Sequence, residues 1–416
     1  MNKSPKQISF RHLLLSGAIA TLSTLAPSLT THLGATLEDS PKIVVDEVWQ
    51  IVNQKFVDQQ FNNLDWENTR KELLERQYSN REEAYLAIRK ALKELGDPYT
   101  RFLDPKEFEA LTNQTSGELS GIGVTITINE ETQILTVVQT LKDSPAMKAG
   151  IKAGDKIVKI NNKLTSLMSL EQASEEISGE EGTDVDLEVL RGDETLVITI
   201  RRAKIEVPSV SYDLKEEGQL RVGYIELDEF SAHAAEQMKE AIEDLQTQEV
   251  SGFVLDLRGN PGGLLFASVD IARMFMENGK IVRTSDRRSG DREFSANRTA
   301  LTDLPLVVLV DRNSASASEI LAGAFKDNGR ATIVGDRTFG KGTVQSVHSL
   351  SDGSGLAVTI SRYYPPSGID INQHGVSPDI MVELTREDKK QLRNNPDLFA
   401  TAKDPYYARA IAHLTE

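Results

Sequence analysis

The sequence predicts a multi-domain α/β protein, with a β-rich unit inserted between a helical N-terminal segment and an α/β core. Three changes of hydrophobic period carry this. Between Glu38 and Leu111 apolar residues recur at helical spacing. From about Ser116 they alternate with polar ones, and from about Gly223 short continuous apolar runs are separated by helical stretches. At 416 residues the chain exceeds one ordinary core.

Residues 1–35 differ from the rest. Lys3, Lys6 and Arg11 precede an apolar stretch from Leu13 to about Leu25, with no acidic residue before Glu38. A basic region followed by a short apolar one is the layout of an export signal. The stretch is shorter than the ~20 residues a spanning helix needs. Ala35 fits a cleavage site, but Leu33 suits it poorly, so an uncleaved membrane anchor and a buried helix stay open.

Residues 36–112 read as helices. Val45, Val48, Trp49, Val52 and Phe56 mark the first, Trp66 to Tyr78 the second, and Arg81 to Leu95 the third, which Gly96-Asp97-Pro98 stops. Residues 113–203 form the β-rich unit, with strands around Val124–Ile128, Leu135–Val138, Asp155–Asn161, Val185–Leu190 and Leu196–Ile200 and a helix from Ser169 to Ile177. Residues 204–385 form the α/β core: Val222–Leu227, Phe253–Leu257, Leu306–Val310 and Ala331–Val334 are strands, and Ala232–Leu245 and Ser316–Lys326 are helices. Residues 386–416 are a polar tail ending in a helix.

Composition excludes several functions. A net charge of −16 without a dense Lys/Arg run disfavours nucleic acid. There is no cysteine, which removes thiol catalysis, disulfides and thiolate metal sites. The six histidines form no H-E-x-x-H pair, so no metal or other cofactor is expected.

Three segments carry chemistry. Leu257-Arg258-Gly259-Asn260-Pro261-Gly262-Gly263-Leu264 follows a buried strand; its glycines permit a turn whose free N–H groups stabilise an oxyanion, or simply a tight connection. Asp311-Arg312-Asn313-Ser314-Ala315-Ser316-Ala317-Ser318-Glu319 opens a helix, where a serine is either a nucleophile in the positive end of the dipole or a cap. Gly335-Asp336-Arg337-Thr338-Phe339-Gly340-Lys341-Gly342-Thr343-Val344-Gln345 almost spells a phosphate-binding loop. Gly342 stands where a hydroxyl residue should hold Mg²⁺, and a strand follows instead of a helix. A desolvated Lys341 would be a neutral amine able to take a serine proton; a surface lysine on a hairpin is the alternative.

Together and in this order the three segments resemble the S41 family of C-terminal processing peptidases, whose patterns are R-G-N-P-G-G, S-A-S-A-S-E and G-x-x-T-F-G-K-G-x-x-Q. The resemblance implies a crotonase-like α/β protease core. It implies Ser316 as nucleophile, Lys341 as general base, Gln345 as the group that holds the lysine amine, and the N–H groups of Gly262 and Ala317 as oxyanion hole. Ser314 and Ser318 are then expected to cap or pack. Glu319 and Asp327 match acidic positions of the family helix, with ion pairing that orders the site as the simplest role.

The β-rich unit resembles a PDZ domain, through Asp143-Ser144-Pro145-Ala146, Ala149-Gly150 and Lys152-Ala153-Gly154-Asp155-Lys156-Ile157. Its Leu119, Gly121, Ile122 and Gly123 match the loop whose backbone N–H groups surround a peptide's terminal carboxylate, beside a strand edge the peptide extends. The resemblances imply an exported enzyme, in a periplasm or thylakoid lumen, that cleaves a protein substrate with a free C-terminus. The photosystem II reaction-centre precursor is one such substrate, and membrane association would come through the N-terminal segment. A non-catalytic PDZ adaptor and an acyl-CoA enzyme are the competing readings.

Overall fold

The structure, a computed structural model, describes residues 20–22, 40–129 and 132–416. Apart from the backbone of 20–22, the expected export segment lies outside these residues. Among the described residues no helix is long and apolar enough to cross a membrane. They divide into two compact units, one spanning Gly117–Val207 and one formed by the chain on either side of it.

The larger unit begins with helices whose starts the sequence encodes. Pro41–Lys55 opens on a proline, whose missing N–H is no loss in a first turn, and buries Val44, Val45, Val48, Trp49 and Val52 on one stripe. Asp65 caps Trp66–Glu75 through the Asn68 N–H, and Asn80 caps Arg81–Glu94 through the Glu83 N–H. The second helix stops before the expected Tyr78 because Arg76 turns extended; the Tyr78 hydroxyl instead donates to the Leu73 carbonyl. These helices cover an antiparallel sheet containing Arg101–Leu103, Lys280–Asp286, Gly290–Ser295, Thr343–Ser349 and Gly355–Tyr364. Phe102, Leu356 and Val358 join their core.

A second sheet has the strand order Val210–Glu217, Leu220–Leu227, Gly252–Asp256, Leu306–Val310, Thr332–Gly335, Ile380–Met381. All pairs after the first are parallel. Phe253, Leu255, Val308 and Val310 pack with helices Ala234–Thr247, Leu265–Phe275 and Ala317–Asp327. Val254, Val307 and Leu309 pack with Tyr406, Tyr407 and Ala410 of helix Pro405–Leu414. Burial on both faces is why these strands read as unbroken apolar runs.

The Gly117–Val207 unit has a sheet ordered Val124–Ile128, Leu135–Thr140, Lys156–Ile160, Asp184–Arg191, Glu194–Arg201. Its core includes Ile122, Val137, Ile157, Ile160, Leu187 and Val189. Ser169 and Gln172 form a capping box on helix Leu170–Ile177. Buried Arg202 closes the other end of that helix, donating Nε to the Ile177 carbonyl at 2.9 Å and Nη2 to that of Glu176 at 2.8 Å.

Candidate active site

The strand Gly252–Asp256 delivers the glycine turn. Asp256 and Arg258 are both buried, and Arg258 Nε donates to Asp256 Oδ1 at 2.9 Å. Its Nη1 and Nη2 donate to Asp404 at 3.0 and 2.8 Å. The guanidinium lies 4.9 Å from the Phe399 ring centre and 5.3 Å from that of Tyr406. Tyr224 Oη donates to Asp256 at 2.6 Å. The tail of the chain thus anchors the residue that starts the turn.

The three serines separate by their partners. Ser314 Oγ donates to the Leu257 carbonyl at 2.8 Å, and Ser318 Oγ to the Asn260 carbonyl at 3.1 Å. Both therefore fasten the helix start to the glycine turn. Ser316 lies between them, fully buried, and its Oγ has no hydrogen-bond partner. Its backbone is held at φ 56°, ψ −110°, a conformation that costs a non-glycine residue of order 1–3 kcal/mol. A strained strand-to-helix turn thus carries a buried hydroxyl without a hydrogen-bond partner among the described residues.

Gly262 lies against this elbow with φ +105°. A Cβ there would fall 2.8 Å from Ser316 Cβ and 2.8 Å from the Ala315 carbonyl oxygen. Gly262→Ala should therefore displace Ser316 and lower kcat about 100-fold; steady-state kinetics that leave kcat untouched would remove Gly262 from the site. The Gly262 N–H donates to Asn260 Oδ1 at 2.8 Å in this conformation. The Ala317 N–H, in the first helical turn, has no backbone acceptor outside its helix among the described residues.

Glu319, one turn after Ser316, is fully buried and ties the segments together. Its Oε2 accepts the N–H of Ser316 at 2.8 Å and of Lys341 at 2.9 Å. Its Oε1 accepts the Gly340 N–H at 2.7 Å and the Thr338 hydroxyl at 2.6 Å. Thr338 Oγ1 itself accepts the Val376 N–H, which aims its proton at Glu319. Burial raises the Glu319 pKa, opposed by these bonds; four donors on one carboxylate require the ionised form. On the other side the buried Tyr363 hydroxyl lies between the carbonyls of Ser316 and Lys341. Ser316 and Lys341 are thus clamped twice through their backbones.

Lys341 is 1% exposed, and burial lowers its pKa from 10.5 to about 7. The nearby Arg101 charge contributes to that lowering, while Asp97 and Glu319 act in the opposite sense. Its Nζ lies 4.8 Å from the centre of the Tyr99 ring. The segment after Ile371 packs directly on Gly340, where a Cβ would meet the His374 nitrogen at 2.9 Å, so the glycine allows the seal over the lysine. Gln345 is also fully buried; its Nε2 donates to Thr343 Oγ1 and Thr359 Oγ1, leaving Oε1 as a buried acceptor without a donor.

Asp327 is not part of this cluster. It is exposed at the far end of the helix and accepts the Ser367 N–H at 2.9 Å. In the other unit, Leu119 and Gly121 lie on strand Glu118–Gly121, Leu119 being half exposed and Ile122 fully buried. Gly123 has φ +76° and leads into the edge strand Val124–Ile128, which contacts helix Leu170–Ile177. Thr338, Tyr363, Tyr99 and Asp404 are site or anchoring residues that periodicity and motif spacing do not reveal; only Thr338 lies within a motif.

Residues 221–382 match peptidase family S41, and residues 136–191 match a PDZ domain. The chain is 42% identical over 374 residues to a carboxyl-terminal-processing protease of Synechocystis sp., covering 89% of this chain and 86% of that one. It is 37% identical over 393 residues to the chloroplastic carboxyl-terminal-processing peptidase 2 of Arabidopsis thaliana, covering 89% and 76%. A solved photosystem II D1 C-terminal processing protease superposes with a TM-score of 0.54 at 36% identity, covering 88% of this chain and 99% of that one. The fold and these matches define a serine peptidase, and the chain belongs to peptidase family S41. Within that family it is a C-terminal processing protease that carries a PDZ domain and acts on protein substrates.

Proposed function

We propose that the chain hydrolyses peptide bonds near a free polypeptide C-terminus with a Ser316–Lys341 dyad. The observation that carries this is the pair of groups left for chemistry: a buried Ser316 Oγ without a partner, and a buried amine whose pKa is lowered to about 7, on backbones fastened to one carboxylate. Neutral Lys341 takes the Ser316 proton as Oγ attacks the carbonyl carbon. The Ala317 N–H, and the Gly262 N–H once it leaves Asn260 Oδ1, hold the oxyanion. The Lys341 ammonium protonates the leaving amine, and water, deprotonated by the same amine, releases the acyl group as a carboxylate. Gln345 Oε1 accepts from the ammonium while it exists. Glu319 fixes the geometry.

The Leu119–Gly123 loop receives the substrate's terminal carboxylate, and the chain extends along Val124–Ile128. The residues at 1–35 export the protein to a periplasm or thylakoid lumen and associate it with the membrane. Two relatives and one solved neighbour come from oxygenic phototrophs or their photosystem II, so the D1 precursor is the substrate to try first. Incubating it with wild type and with Ser316→Ala, then mapping new C-termini by mass spectrometry, tests the reading. Cleavage by wild type alone is expected; equal cleavage by both would end it.

A second expectation concerns pH. The amine must be neutral to accept a proton, so kcat/KM should rise with pH through about 7 and level off above it. A flat profile between pH 5.5 and 8.5 would point to another base.

A further inference from the structure

Arginine buried in this protein is normally satisfied. Arg258 is bracketed by two carboxylates, and Arg202 donates four hydrogen bonds. Arg101 is the exception: it is partly buried, yet its guanidinium makes no hydrogen bond and no ion pair within 4 Å among the described residues. Glu107, the acid whose charge reaches it, already accepts from Arg89 Nη2 at 2.7 Å and from the Asp104 N–H at 2.9 Å. Five donors without an acceptor in a partly desolvated place call for an anion.

The strand register shows which side Arg101 faces. It pairs with Ala357, which pairs on its other side with Val347. Two residues along, Thr359 pairs with Gln345 and bonds its side chain. Paired residues share a face, so Arg101 lies on the face that bears Gln345, while the intervening Phe102 and Leu356 pack into the helical core behind. Tyr99, two residues before Arg101, lies over Lys341. We infer that Arg101 is an anion-binding subsite beside the dyad, which takes a carboxylate of the polypeptide substrate next to the scissile bond.

This deepens the proposed reaction and rests on it for the substrate class. The carboxylate has two sources. It is either an acidic side chain flanking the scissile bond or the new terminal carboxylate that hydrolysis leaves at the site. The test uses the full chain carrying Ser316→Ala, so that binding is read without turnover. In one arm, C-terminally amidated alanine decapeptides with a single Glu or Gln, scanned along the peptide, are titrated by fluorescence anisotropy. In the other arm, N-acetyl-alanyl-alanine competes as its carboxylate or its amide. In at least one arm the carboxylate should bind about tenfold better than the amide. That preference should vanish in Arg101→Gln and persist in part in Arg101→Lys. The first arm responding identifies a side chain, and the second identifies the product acid. Amide and carboxylate binding alike in both arms, or a preference unchanged by Arg101→Gln in a protein with wild-type melting, would overturn the subsite. Because no cleavage is measured, a failed dyad and a failed subsite give different results.

Discussion

Lys341→Met should abolish peptide hydrolysis and stabilise the protein at the same time. The loss of rate should be at least about 1,000-fold, since Lys341 is the one proton acceptor of the proposed reaction. The stability gain follows from linkage. The lysine pKa is near 10.5 unfolded and about 7 folded, so the unfolded chain binds more protons between those values. The penalty is therefore full below pH 7 and relieved as pH rises toward 10.5. At neutral pH it is on the order of 4 kcal/mol, which methionine, of similar volume and uncharged, removes. Urea unfolding at pH 7 and pH 10 reads both parts: the variant should exceed wild type at pH 7, and the gap should narrow at pH 10. A variant less stable than wild type at pH 7 would show that the amine is not held neutral at a cost.

Arg258→Met should strongly destabilise the protein. It leaves Asp256 and Asp404 facing each other in a buried site, and removing one partner of a buried ion cluster costs about 3–5 kcal/mol. Asp404→Asn is milder. It leaves a neutral Asp256–Arg258 pair, although it weakens the cap that Asp404 provides to Tyr406 and Tyr407. The expected order in urea midpoints is wild type, then Asp404→Asn, then Arg258→Met. The double variant Arg258→Met with Asp404→Leu should recover part of the loss, and a double-mutant cycle measures the coupling. If Arg258→Met unfolded within 1 kcal/mol of wild type, the cluster would not be what holds the turn.

Much of the fold was legible because it depends on local rules. The runs at Phe253–Leu257 and Leu306–Val310 announced doubly covered strands, and the helices read from Trp66, Arg81 and Ser169 begin at or next to those residues. The antiparallel sheet containing Lys280–Asp286 and Gly355–Tyr364 was largely illegible, since Lys280, Arg283 and Asp286 interrupt any alternation. At the site, the glycine turn, the serine elbow and the lysine loop could be found as motifs. Their convergence could not, because it runs through Glu319 and Tyr363, whose shared partner Lys341 is 22 residues from each in the chain. The same holds for Asp404, 146 residues from Arg258. The grouping of Glu319 with Asp327 at the site fails physically: helical phase places both on the side of Ser316, but eight residues of rise, roughly 12 Å, separate them.

The contact between Asp404 and Arg258 also sets an order of events during synthesis. While the ribosome still holds the stretch before Asp404, Arg258 has only one of its two counter-ions, and the second face of the sheet lacks Tyr406 and Tyr407. A nascent molecule at that stage has Ser316 and Lys341 translated while Arg258 still lacks Asp404. The glycine turn beside Ser316 is therefore expected to be fully braced only once the helix Pro405–Leu414 has docked.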